Sequence, residues 1–250
     1  MLSKKNLATG DPAAPVLGRR GIYSSRMGSG TRLLGNSSVA TRWATALAAI
    51  TAVVFVAIGV PGLHDQVQPL DEWFRELAIR LEWQPAVDVA DALRVIGSAW
   101  VMVPIEIAIG VLLLIRQRWH ALVYWAASVG LVSALVWIAK ALYDRPRPPD
   151  SLVATTGASF PSGHSATAAV VAIGLVLLFA PIAKKRWHWF VAAASWATLM
   201  AASRVYLRAH WFTDVVAGVT LGAAVALATA VLVDRWVARD GDRTRQHAEE

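Results

Sequence analysis

The chain has 250 residues, of which 56% are hydrophobic and 16% charged, with a formal net charge of +7. An average soluble domain carries about 25% charged residues, so this composition excludes that class. With no cysteine, disulfides, thiolate metal sites and cysteine nucleophiles are excluded as well.

Residues 1–40 are rich in Gly, Ser and Arg and show no sustained helical period, which predicts a basic tail without fixed structure. The first uncharged window, 43–63, follows some 42 residues of chain and reads as a retained span rather than a cleaved signal. In the segment 64–94, Leu70, Trp73, Phe74, Leu77, Ala78 and Leu81 follow helical spacing, while Asp71, Glu72, Arg75, Glu76 and Glu82 take other faces. Two readings fit that pattern: a helix lying on the outer leaflet and admitting a lipid from the side, or one packed on the bundle. Further uncharged windows follow at 95–115 (interrupted only by Glu106), 119–139, 165–183, 187–203 and 215–233. Each is close to the ~20 residues that cross a bilayer core as a helix. Period-2 alternation, the mark of a transmembrane barrel, is absent. The expected fold is all-α, a single six-transmembrane-helix bundle over 41–237, with a second cytoplasmic tail at 238–250.

Lys and Arg set the orientation. With the N-terminus in the cytoplasm, the inner segments hold 16 of the 24 basic residues. The positive-inside rule then places both termini in the cytoplasm. Trp119, Trp187 and Trp236 stand beside Arg118, Arg186 and Arg235, as interfacial anchors do. The positive charge is thus a matter of topology and anionic headgroups, and no nucleic-acid partner is expected. Nineteen arginines against five lysines fit a GC-rich bacterial genome, which makes the plasma (inner) membrane the expected location.

Three clusters fall on the outer face of this topology. Lys140 ends the third span, and Arg147-Pro148 follows in a loop that repeated prolines keep extended. A guanidinium there can grip two phosphate oxygens as a planar fork. On the residues alone, Arg145 competes with Arg147 for that task. Pro161-Ser162-Gly163-His164 opens the fourth span, with Ser162 a natural N-cap and free N–H groups at the helix start. Ser203-Arg204 closes the fifth span, and His210 and Asp214 are four apart, on one face if the sixth span begins there. A carboxylate on one ring nitrogen fixes the tautomer and frees the other nitrogen to attack. Cations to hold charge, a nucleophile and a proton donor are what phosphate ester cleavage requires.

These segments resemble the signature of the type 2 phosphatidic acid phosphatase superfamily, K-x6-R-P, P-S-G-H and S-R-x5-H-x3-D, at every position. The motifs cover roughly 120–230 and the six-span plan covers the rest. The resemblance implies that His210 is the nucleophile, forming a phosphohistidine, with Asp214 orienting it and His164 protonating the leaving group. Lys140, Arg147 and Arg204 would bind the phosphoryl oxygens, assisted by Ser162 and Gly163. It selects Arg147 over Arg145 and implies neither a metal nor another cofactor. The substrate implied is a lipid phosphate in the membrane: phosphatidic acid, diacylglycerol pyrophosphate, phosphatidylglycerophosphate or a polyprenyl pyrophosphate such as the undecaprenyl carrier. A lipid phosphotransferase using the same phosphohistidine is the main alternative. A vanadate haloperoxidase is disfavoured by the six spans, and a channel or transporter has only Glu106, an intramembrane acid, in its favour.

Overall fold

The computed structural model describes residues 32–182 and 186–249, and every regular element among them is an α-helix. In chain order these are α1 (Ser37–Gly59), α2 (Pro61–Arg80), α3 (Gln84–Ile96), α4 (Ala99–Ile115), α5 (Trp119–Tyr143), α6 (Gly163–Phe179), α7 (Arg186–Tyr206) and α8 (Phe212–Glu249). Most of the expected N-terminal tail, residues 1–31, lies outside the described residues, as do Lys184 and Lys185. Residues 33–36 are held: the Leu33 and Leu34 N–H groups donate to the Asp234 carboxylate at 2.9 and 3.0 Å, and Arg186 donates to the Leu33 carbonyl at 2.8 Å. Asn36 then caps α1, accepting from the N–H groups of Ser38 and Val39.

Among the described residues, three helices are long and apolar enough to cross a membrane: α1, α5 and the Phe212–Asp240 part of α8. α3 and α4, bent by 45° at their junction, make a fourth if they are one broken span. The expected count of six is not reached on these criteria. α6 has only 17 residues, and α7 opens with Arg186, Trp187, His188 and Trp189, which dilute its apolar character. Ile107, Trp137 and Leu142 are each more than half exposed. Apolar surface of that kind suits lipid rather than water.

α8 is the central helix. α1 and α6 pack along it, α7 lies against α6, and α5 touches both α6 and α8, while α3 rests on α7 and α4 on α5. The α6–α8 approach depends on Gly218 and Gly222. A Cβ at Gly218 would fall 2.5 Å from the Ser162 carbonyl oxygen, and one at Gly222 would fall 2.3 Å from that of Ala166. This pair is a small-x3-small seam of the kind that lets membrane helices touch backbone to backbone. It presses the start of α6 onto the first turns of α8, and so joins two of the three motifs.

Candidate active site

Lys140 stands in the last turn of α5, half-buried, and its Nζ donates to the Ala158 carbonyl. The chain leaves α5 through Asp144 in the left-handed region (φ 38°). It enters the proline-rich loop, which folds back where Ser159 N–H donates to the Arg145 carbonyl at 2.8 Å. Arg147 sits inside this fold. Its Nε donates to Gly157 O at 3.0 Å, Nη2 to the carbonyls of Thr156 and Ala158, and Nη1 to Ala209 O at 2.7 Å. Nη1 also lies 3.2 Å from Nε2 of His210.

Ser162 is fully buried and caps α6, its hydroxyl accepting from Ser165 Oγ at 3.0 Å. Its own N–H donates to the Asp214 carbonyl at 3.0 Å, a direct link between the second and third motifs. Gly163 is the first helical residue, and the next, His164, places Nε2 3.3 Å from the Arg94 carbonyl of α3. A Cβ on Gly97, at the α3–α4 break, would fall 2.9 Å from His164 Cδ2. That glycine is a neighbour of the site outside the recognisable motifs.

Arg204 lies in the last turn of α7 at 2% exposure, and its Nε and Nη1 have no hydrogen-bond partner. A buried guanidinium with two idle N–H groups is costly unless an anion completes it. After α7 the chain turns through Arg208 (φ 52°) to His210 and into α8. His210 is buried, with Nδ1 3.4 Å from Oδ2 of Asp214. That is longer than a well-formed hydrogen bond, and Nδ1 has no other partner. Oδ2 of Asp214 also accepts from the Trp211 N–H at 2.9 Å.

The two arginines left open by the residues alone are separated by the fold. Arg147 points at His210. Arg145 points away, with Nη1 2.7 Å from Asp214 Oδ1 and Nη2 2.7 Å from Asp71 Oδ2. Asp71 corrects the sequence reading of α2. Helical period set it with the charged residues off the apolar stripe, yet it is 1% exposed and also accepts from Thr213 N–H and Oγ1. Conversely Leu70, Trp73 and Leu81, placed on the apolar stripe, are exposed, while Phe74 stacks on Phe212 at 3.8 Å. α2 therefore packs one face on the site, while Leu70, Trp73 and Leu81 stay exposed.

The eight candidate residues of the three motifs, Lys140, Arg147, Ser162, Gly163, His164, Arg204, His210 and Asp214, meet at one end of the bundle. Lys140, Arg147 and Arg204 are close enough to act electrostatically on His210, on His164 or on one another. Burial pushes His210 down from 6.5 to about 4. Arg147 and Lys140 push the same way, while the Asp214 carboxylate pulls it up. Burial also weakens the hold of Arg147 on its proton, and Asp214 opposes that. A guanidinium nevertheless remains charged. The ring of His210 is thus neutral at pH 7. Nδ1 is its protonated nitrogen if it serves Asp214, and Nε2 then carries a lone pair toward the cations. Among the described residues no group of three His, Cys, Asp or Glu side chains could hold a metal ion.

Residues 119–238 match the PAP2 superfamily. Phosphatidylglycerophosphatase B of Bacillus subtilis is 29% identical over 180 residues, covering 69% of this chain and 88% of that protein. Undecaprenyl-diphosphatase of Sulfolobus acidocaldarius is 38% identical over 71 residues, about a third of its own length (32%). Among solved structures, the transmembrane PAP2-type phosphatidylglycerolphosphate phosphatase from Bacillus subtilis aligns with a TM-score of 0.64 at 28% identity, covering 74% of this chain and 93% of that one. LpxE of Aquifex aeolicus shares the fold, with a TM-score of 0.52 at 24% identity over 63% of this chain and 92% of its own. With its three motifs gathered at one end of an all-helical bundle, the chain is a member of the PAP2 superfamily, carried by residues 119–238.

Proposed function

We propose that this protein is an integral-membrane lipid phosphatase that cleaves a phosphate mono- or diphosphate ester through a phosphohistidine on His210. One observation carries the reading: a buried, neutral His210 faces Asp214 with one ring nitrogen and holds the other 3.2 Å from Arg147. In the first step Nε2 attacks phosphorus in line, the bond to the leaving oxygen breaks, and His164 gives that oxygen its proton. The charge on the transferring phosphoryl group is spread over its equatorial oxygens and held by Lys140, Arg147 and Arg204. Ser162 and Gly163 bring the N–H groups at the start of α6 to the same oxygens. In the second step water attacks phosphorus, its proton passes to His164, and the P–N bond breaks to release inorganic phosphate. The three cations supply the charge that a metal ion would otherwise supply, so the reaction is proposed to be metal-independent.

The bundle is proposed to span the plasma (inner) membrane six times, with α6 and α7 as spans beside α1, α5, α8 and the α3–α4 pair. A 17-residue helix rises about 25 Å, short of a full core, but α6 is shielded by its neighbours. The distribution of Lys and Arg supports cytoplasmic termini and a catalytic end facing outside. The catalytic domain is proposed as 41–237, with tails at 1–40 and 238–250.

The lipid is proposed to be a glycerophospholipid phosphate or a polyprenyl pyrophosphate. Phosphatidylglycerophosphate comes first for testing, because the relative of that activity aligns with 69% of the chain. The experiment is phosphate release by the solubilised protein from phosphatidylglycerophosphate, undecaprenyl pyrophosphate, phosphatidic acid and diacylglycerol pyrophosphate, with and without chelator, beside His210→Ala. Chelator-resistant release that is lost in the variant is expected. Release that persists in His210→Ala contradicts the reading.

A further inference from the structure

Three charged side chains outside solvent stand in a row behind the nucleophile, and only the last belongs to a motif. Asp71 on α2 and Asp214 on α8 have side chains at 0% exposure, and Arg145 between them is at 4%. Nη1 of Arg145 reaches Thr213 Oγ1 at 2.8 Å and Asp214 Oδ1 at 2.7 Å, while Nη2 reaches Gln68 Oε1 at 3.1 Å and Asp71 Oδ2 at 2.7 Å. The guanidinium also lies over the Trp211 ring at 5.5 Å. Asp71 is anchored in turn by the Thr213 N–H at 2.8 Å and the Thr213 hydroxyl at 2.7 Å. Each oxygen of Asp214 therefore has one assigned neighbour besides His210: Arg145 at Oδ1 and the Trp211 N–H at Oδ2.

We propose that Asp71 and Arg145 are positioning residues for the nucleophile. The Asp71 carboxylate fixes the Arg145 guanidinium, which fixes Oδ1 of Asp214 and leaves Oδ2 turned to Nδ1 of His210. This rests on His210 being the nucleophile. It adds an outer layer to the site, supplied by α2, a helix outside the family motifs.

The physical need is plain. Two carboxylates buried close to one another cannot both stay ionised without a shared cation. Arg145 is that cation, so Asp214 keeps the charge that steadies a phosphorylated imidazole. The three groups together carry one net negative charge, set behind a ring whose front faces cations. The charged and titratable groups around His210 are Asp214 (α8), Asp71 (α2), Arg145 and Arg147 (the loop after α5), Lys140 (α5), His164 (α6) and Arg204 (α7). A side chain that orients another commonly matters by about 10–100-fold.

The test compares Asp71→Asn, Arg145→Gln, Arg145→Lys and His210→Ala in the full-length, detergent-solubilised protein. It reads phosphate release as kcat and KM across pH, with thermal stability measured beside them. Asp71→Asn and Arg145→Gln should each lower kcat by about 10–100-fold, with KM within about twofold. Their acid limbs should move in opposite directions. Losing the cation makes His210 and its carboxylates easier to protonate, so the limb rises in Arg145→Gln. Losing the outer carboxylate moves the limb down in Asp71→Asn. Arg145→Lys keeps the charge but reaches one carboxylate only, so it should lose rate with the limb in place. A merely structural role lowers the folded fraction equally at every pH and moves neither limb. An unchanged kcat in Asp71→Asn, or limbs that stay put or move together, overturns the proposal. If Arg145→Gln does not fold, the downward shift in Asp71→Asn, or its absence, decides. His210→Ala separates the two layers: activity surviving there removes the nucleophile assignment itself. Activity lost there but intact in Asp71→Asn removes only the positioning role.

Discussion

The role proposed for His210 requires a neutral ring, and the surroundings that keep it neutral set the expected pH behaviour. Its proton affinity in the folded protein lies near pH 4 against the ordinary 6.5. The unfolded chain therefore takes up a proton between those values while the folded one does not. Stability contributed by this group is complete above about pH 6.5 and is lost as pH falls toward about 4. For the reaction, the acid limb of kcat/KM is expected near pH 4, since kcat/KM follows the free enzyme. A limb near 6.5, measured with a lipid whose phosphate does not titrate there, contradicts the neutral-ring account. Arg204 gives a second prediction. Its two idle N–H groups are suited to a phosphoryl group, so Arg204→Met should lower phosphate release by about 100- to 1,000-fold. A rate within twofold of wild type would sink that role. Residue identity was legible in the sequence wherever a motif was involved. Asp71 was not, because its partners Arg145 and Thr213 are 74 and 142 residues away. Helical spacing set it off the apolar stripe of α2 and gave no sign of these partners.

At the scale of elements, the site depends on two close approaches that side-chain patterns do not advertise. Gly218 and Gly222 let α8 meet α6, and both substitutions would drive a Cβ into backbone oxygen. Gly222→Ala is expected to destabilise by about 1–3 kcal/mol through overpacking, seen as a lower thermal midpoint in detergent; an unchanged midpoint contradicts the close seam. The signal for this contact was present as Gly-x3-Gly within an apolar run, and reading it would have paired the last span with the helix that carries Pro161-Ser162-Gly163-His164. Gly97 is different. Nothing in the sequence ties it to His164, because the contact exists only once α3 and α4 bend at their junction. Six of the eight helices described, α1 and α4 to α8, were legible as windows with few or no charges, since charge is excluded from lipid whatever the tertiary fold. The bend and the inward face of α2 were not: α3 rests on α7 and α4 on α5 across the bend, while α2 packs against α7 and α8, and none of these contacts shows in a local pattern.

For the whole molecule, the motifs lie at one end of the bundle because each joins a helix end to the loop beyond it. Lys140 closes α5, Ser162 opens α6, Arg204 closes α7 and Asp214 opens α8. Alternating helix direction then brings all of them to the same side. The chain has no cysteine, so single cysteines can report topology without background. A cysteine at Thr156, in the catalytic loop, is expected to react with a membrane-impermeant maleimide in intact cells. One at Gln117, between α4 and α5, should react only after the membrane is opened. The reverse pattern contradicts the proposed orientation.

The proposed mechanism requires covalent chemistry at His210. The most direct measurement is rapid quenching of turnover into alkali with a lipid carrying labelled terminal phosphate, followed by peptide mapping. Label is expected on the peptide containing His210, lost on acid treatment and absent from His210→Ala. Turnover at the normal rate with label elsewhere, or with no labelled protein at any time, would contradict the mechanism.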